Sequence, residues 1–444
     1  MPLAIRIYTR FVFLLLITTL VFGMLSSWSY LYPEIFNRYL PFYQLRPVHT
    51  SAALFFIISA ATLCIILFNR DTLGRNATSG RWEQLFIFTW IATILVIFGY
   101  YGLKKFGGRE YWEFPGWLAF PLLSSWTFLM IGYYKGWLKC ADKKPLYIWM
   151  WSTGILFFFL TFIEQNLWQI PWFRQSFLRE LTVQWKANGS MVGAWNQMVY
   201  GSSLFLMVMI SGDKSIARNK KAFFFYFLGL TNLMFNWGHH IYNLPAHGWI
   251  RHISYVISMT EWLIFISIIQ GFKNKLTEAR KLRHMLPYKF LLAAEFWVFA
   301  NLTLALFMSI PAVNRYTHGT HITVAHAMGT TIGINTMILL GVLGYALDID
   351  NKIGAGRKLF IRSYRLAQGS FIIFWLSLVL AGILKGYRSV TLNITSFQEM
   401  MEPVNKVLVA FSVAGIGVAT GLIIIVIMYW QAAGKSQSFV KVDK

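Results

Sequence analysis

The segment "FNWGHHIYNLPAHGW", residues 235–249, sets His239 and His240 side by side behind an apolar run, with His247 close after. Imidazole is a good ligand both for haem iron and for a non-haem metal. Two neighbouring imidazoles therefore suggest a metal centre if further ligands converge on them. Candidates stand elsewhere in the chain: His49 in "LRPVHTSA", and His326 and Met328 in "RYTHGTHITVAHAMGTTIGIN". On a helix, residues two apart such as His326 and Met328 point about 200° from each other. One helix could then serve two metals, one on each face. A thioether is an accepted axial haem ligand and raises the reduction potential. The plainer alternatives are separate interfacial histidines, and a core methionine that is one of 17 in the chain.

The elements that must position these residues follow from composition. Of 444 residues, 57% are hydrophobic, 18% aromatic and only 13% charged. That is too apolar for an ordinary soluble domain. A membrane-spanning helix needs about 20 apolar residues. Twelve blocks qualify, at 9–31, 48–69, 83–103, 115–137, 146–167, 188–211, 222–245, 250–272, 287–311, 320–346, 366–386 and 404–431. The expected fold is an all-α integral membrane protein, with one twelve-helix membrane domain over residues 1–444. The first block is too long for a cleavable signal and lacks a clear small-residue cleavage site. Cys64 and Cys140 are the only cysteines, which gives neither a disulfide framework nor a CxxCH site for c-type haem.

The net charge of +23 has a topological explanation and implies no nucleic-acid partner. Numbering the connections alternately puts 27 Lys and Arg on the side of both termini and 13 on the other. By the positive-inside rule both termini are cytoplasmic. The connection at 168–187, "LWQIPWFRQSFLRELTVQWK", reads as an amphipathic segment on the outer face. In this topology His49, His239, His240 and His326 come from three helices and lie at a similar depth near the outer surface. Polar rings are costly in lipid unless they have partners, which favours a cofactor cluster. His247 falls in the outer loop with no assigned role.

These residues resemble a family. The chain is similar to the haem–copper oxidase superfamily, and within it to the large, cytochrome b subunit of bacterial nitric oxide reductase, over nearly its whole length. "LRPVHTSA" looks like the segment bearing the first low-spin haem ligand, here His49. "GREYWEFP" looks like the periplasmic segment in which an Arg contacts haem propionates and a Glu binds calcium, here Arg109 and Glu110. Glu113 then matches an acid at the mouth of a proton path. "GHH" matches two ligands of the non-haem metal, His239 and His240. Glu261, in "SMTEWLIF", matches a buried acid near the active site. "HGTHITVAHAM" matches the helix that ligates both haems, with His326 as proximal ligand of the high-spin haem.

The sequence departs from that pattern at three positions. Aligned on "NGSMVGAWNQ", the third histidine of the non-haem site becomes Asn188. The following i+4 position, Glu in the reductases and often Tyr in oxygen-reducing members, becomes Val192. The second low-spin haem ligand, normally His, becomes Met328. Positions i and i+4 share a helix face, so Asn188 and Val192 would both face the metal. An amide oxygen is a harder and weaker donor than imidazole. Both changes should weaken metal binding and raise the metal's potential.

The resemblance implies two b-type haems, one low-spin and one high-spin, a non-haem iron with copper as the alternative, and calcium. It implies a multi-pass protein of the bacterial inner membrane and a small gas as substrate. The electron donor would be a small cytochrome c subunit or a quinol. The first functional expectation is reduction of nitric oxide to N2O, with Glu113 and Glu261 as proton carriers. The second is dismutation of nitric oxide to N2 and O2, which an altered non-haem site also fits. A terminal oxidase is disfavoured by the missing Tyr. A solute transporter also has twelve helices and intramembrane charges, but does not require several histidines at one depth.

Overall fold

A computed structural model describes residues 2–72, 80–139, 144–242, 244–245, 247–258 and 262–434. Glu261 and Cys140 lie outside the described residues. The principal helices are α1 (Leu3–Leu31), α2 (Phe42–Thr72), α3 (Gly80–Gly102), α4 (Ala119–Lys139), α5 (Leu146–Gln165), α6 (Phe177–Ser211), α7 (Lys220–Phe235), α8 (Gly248–Ser258), α9 (Trp262–Lys275), α10 (Met285–Ser309), α11 (His321–Met328), α12 (Met337–Ala346), α13 (Arg357–Val390) and α14 (Phe397–Gly434). A π-helix, Gly329–Thr336, joins α11 to α12. Among the described residues there is no strand, and a single antiparallel bridge pairs Arg109 with Trp112.

The all-helical architecture follows from the need to satisfy every backbone group inside the helix when lipid surrounds it. Hydroxyl side chains obey the same rule by bonding back to their own helix. Thr9, Thr19 and Thr93 each donate to the carbonyl four residues earlier, at 2.8 Å. Among the described residues, eight helical stretches are long and apolar enough to cross a membrane, including Leu3–Leu31, Phe42–Asn69, His321–Ala346 and Phe397–Gly434. The sequence pattern predicts twelve spans. The other four blocks are helical in α4, α6, α7 and the α8–α9 pair, but these fall short in hydropathy or in length. In α6 the reason is polar content: Asn188, Ser190, Gln197, Ser202 and Ser203 are all buried in the protein interior.

Two helix starts differ from the expected boundaries. The second helix begins at Phe42 rather than at residue 48, so His49 lies beyond Pro47 within α2 and does not open it. Residues 177–187, expected as an outer-face connection, form the first turns of α6. Ser176 caps that helix by accepting from the Arg179 amide, and Gly212 ends it in the left-handed conformation at φ +67°.

The most extensive helix pairs are α13 with α14, α5 with α6, and α1 with α2. A dense aromatic region occupies the α2–α5 side. The Trp126 and Phe158 rings lie 4.2 Å apart, and Trp90 lies 5.7 Å from Trp126. Their polar edges are satisfied, since Trp126 Nε1 donates to the Ile155 carbonyl and Trp90 Nε1 to Ser59 Oγ, both at 2.9 Å.

Candidate metal centre

Helix α7 stops at Phe235, and a 3-10 turn, Asn236–Ile241, carries both adjacent histidines. The turn is fixed from two directions. Ser254 of α8 donates to the Phe235 carbonyl at 2.8 Å. On the other side α6 presses close: a Cβ at Gly189 would lie 2.7 Å from Trp237 Cβ and 3.6 Å from His240 Cδ2. Only glycine lets the two backbones approach so closely. Trp185, one turn earlier on α6, stacks on the His240 ring at 5.3 Å and 17°. The His239 and His240 rings are 4.1 Å apart.

Asn188 precedes Gly189 on the same helix. It is 8% exposed, and its Nδ2 is buried with no hydrogen-bond partner among the described residues. Val192, one turn further along α6, is partly buried against the core. His326 lies on α11. The His239, His326 and His318 rings are close enough to act electrostatically on His240. His326 Nδ1 is likewise buried without a partner among the described residues. Buried polar atoms are normally paired, so orphaned ones call for an explanation such as an ion or water. The donors present fit a metal held by two imidazoles and an amide, and a haem held by His326. No three His, Cys, Asp or Glu side chains form a metal-binding group among the described residues.

His49 fits a haem ligand on different grounds. Its Nδ1–H donates to the Thr19 carbonyl of α1 at 2.8 Å. A ligating histidine commonly donates its second ring nitrogen to such a group, which fixes tautomer and heading. Gly23, one turn beyond Thr19, takes the face of the ring: a Cβ there would meet His49 Nδ1 at 2.7 Å. Met328 is the last residue of α11 and is partly buried against the core.

The acidic candidates lie in the connection between α3 and α4. Glu113 accepts from Arg46 Nη1 at 2.9 Å, and Thr50 Oγ1 lies 3.4 Å from its other oxygen. Burial pushes its carboxyl above the usual carboxylate range, against the pull of Arg46. Glu110 accepts from Arg46 Nη2 at 3.1 Å and is 42% exposed. Arg109 is engaged elsewhere, with its Nε 2.5 Å from Glu180 Oε1 and its guanidinium 4.2 Å above the Trp168 ring. His247 is exposed.

Sequence reasoning passes over Arg46, Gly23, Thr19, Trp185 and Gly189. Arg46 stands three residues before His49 in "LRPVHTSA", on the same helix face, and is legible as a tie between that helix and an acidic loop. The others act by close approach or a backbone carbonyl, which leaves no pattern in residue type.

The sequence matches the family described as cytochrome c and quinol oxidase polypeptide I over residues 4–427. It is 22% identical over 403 residues to a nitric oxide reductase subunit of Stutzerimonas stutzeri, covering 84% of this chain and 80% of that protein. The fold superposes on a heme-copper terminal oxidase, solved as a dimer by cryo-electron microscopy, with a TM-score of 0.73 at 11% identity, over 99% of this chain and 85% of that one. The chain belongs to the cytochrome c and quinol oxidase polypeptide I family, whose members are membrane oxidoreductases of the haem–copper type.

Proposed function

We propose that the protein reduces nitric oxide, with two NO, two electrons and two protons giving N2O and water. What supports this reading is that His326, on α11, acts electrostatically on His240, which shares a turn with His239. The similarity to a nitric oxide reductase subunit supports it. In this reading His326 holds a high-spin b haem, while His239, His240 and Asn188 hold a non-haem iron, with copper as the alternative. His49 and Met328 hold a low-spin b haem. When bound, these groups supply electron transfer and a Lewis-acidic pair for N–N coupling.

The chain's own residues do the rest. The Trp185 ring and the Trp237–Gly189 contact close the side of the histidine pair. Thr19 and Gly23 set the heading of His49. Glu113 is proposed as one proton carrier: burial pulls its carboxyl toward the neutral form against Arg46, which with Thr50 orients it. Glu261 is proposed as the second proton carrier, and Glu110 as a calcium ligand. The protein would lie in a bacterial inner membrane with twelve spans and both termini cytoplasmic. It would take electrons from a small cytochrome c subunit or from quinol.

A second reading is dismutation of nitric oxide to N2 and O2, favoured by the amide and aliphatic side chains at Asn188 and Val192. Product analysis with isotopically labelled NO, with and without reductant, separates the two. Electron-dependent N2O supports reduction. Labelled N2 with O2, formed without reductant, overturns it.

A further inference from the structure

His49 and His326 are aimed by different means. The His49 ring is tied through Nδ1, whereas His326 Nδ1 has no partner among the described residues. What is tied at His326 is its backbone. Asn301, on α10, is fully buried. Its Nδ2 donates to the His326 carbonyl at 3.0 Å and to Thr330 Oγ1 at 2.9 Å. Its Oδ1 accepts from Trp375 Nε1 of α13 at 3.3 Å. Thr330 Oγ1 donates to the same His326 carbonyl at 3.1 Å. This carbonyl sits where the α-helix gives way to the π-helix. Such a change alters which amide each carbonyl meets and recurs at functional sites.

The π-helix is seated on α10 by a matched pair of contacts. Gly329 faces Asn301 so closely that a Cβ would lie 2.1 Å from Oδ1, and one at Gly333 would lie 2.5 Å from Trp297 Cγ. Gly329 and Gly333 are one turn apart, as are Trp297 and Asn301, so two side chains enter two glycine notches. Trp297 is held in turn, its Nε1 donating to Gln368 Oε1 at 3.0 Å. A notch filled by two anchored side chains fixes both the rotation and the axial position of the segment it grips.

We propose that Asn301, anchored by Trp375 and backed by Trp297, is the positioning residue for His326 and Met328. It fixes the rotation of the turn that presents them to opposite sides. The haem-ligand roles of those two residues rest on the proposed function, but the clamp itself does not.

The test is Asn301→Leu in the purified, haem-loaded protein, with two readouts besides turnover. The first is haem content and the electron paramagnetic resonance of both haems. The second is amide hydrogen exchange over residues 326–336. The expected result is a fall in high-spin haem occupancy of about tenfold, the lower range for loss of an outer-shell partner, with an altered low-spin signal and faster exchange confined to that segment. Trp375→Phe removes only the bond to Oδ1 and should move both readouts the same way by less; it carries the test if Asn301→Leu does not fold. Asn314→Leu alters a buried asparagine outside the clamp, whose Nδ2 serves the Met308 carbonyl, and should leave the haem spectra alone. Wild-type spectra and exchange in both clamp variants would overturn the proposal. A colourless wild-type protein would sink the haem assignments alone, and faster exchange in Asn301→Leu would still uphold the clamp.

Discussion

Two regions of this molecule are built on opposite terms. The α2–α5 side is a continuous aromatic core in which Trp90 and Trp126 are buried and their indole N–H groups satisfied. The side formed by α6, the 235–241 turn, α11 and the π-helix is polar and broken in its helical geometry, and holds buried atoms without described partners at Asn188 and His326. Buried polar atoms without described partners occur on the first side too, at Asn69, Trp137 and Gln165, so what sets the second apart is its irregular helical geometry joined to its histidines, the kind of strain that clusters at functional sites.

That contrast predicts different consequences for change in each region. His240→Ala should lower nitric oxide turnover by more than about 1,000-fold, beyond the roughly 10–100-fold cost of losing an outer-shell partner, with little change in thermal stability. An equal loss of stability and activity would mean that the two regions are not separable. Trp126→Ala should do the reverse. It costs about 3–5 kcal/mol of stability, read from denaturation in detergent, while haem per folded protein stays the same. Asn188→His should raise the affinity for the non-haem metal about tenfold, since imidazole is the better donor. An unchanged metal content on titration with a chelator would remove Asn188 from the ligand set.

The smallest effect concerns the loop before α13. Asp350 accepts from the Leu286 amide at 3.2 Å and lies 3.6 Å from Arg357. Burial pushes its carboxyl from 3.8 up to about 6. Between those values the folded chain keeps a proton that the unfolded chain gives up. Its contribution therefore favours folding at the acidic end and is lost as pH rises through about 6. Asp350→Asn should flatten that slope in a melting series across this window. Arg357 is 42% exposed and screened by water, so it opposes that shift only weakly and the slope belongs to the buried carboxyl. A slope that survives the substitution would assign it to other groups.

Much of the plan is legible in residue type. Composition and the apolar blocks imply a helical membrane protein, because lipid leaves a helix few alternatives. "GHH" and "HGTHITVAHAM" together point to a gathering of His239, His240 and His326, of which the adjacent pair is seen with its rings 4.1 Å apart and His326 as an electrostatic neighbour of His240. Helix limits are less legible. Residues 177–187 read as an amphipathic connection because the early turns of α6 mix aromatic and charged side chains, yet they continue the helix and deliver Trp185 to His240. The supports at Gly23, Gly189, Gly329 and Asn301 are hidden altogether. A glycine notch depends on what faces it in space, and nothing in one sequence shows that partner.

The central claim is that His326 and the His239–His240 pair hold a haem and a metal side by side. Its most direct test is nitric oxide binding to the reduced, purified protein, followed by electron paramagnetic resonance. The account predicts a haem nitrosyl signal that disappears in His326→Ala, while the low-spin haem signal of the oxidised protein remains. A nitrosyl signal that persists in His326→Ala, or a wild-type protein that purifies without haem, would contradict it.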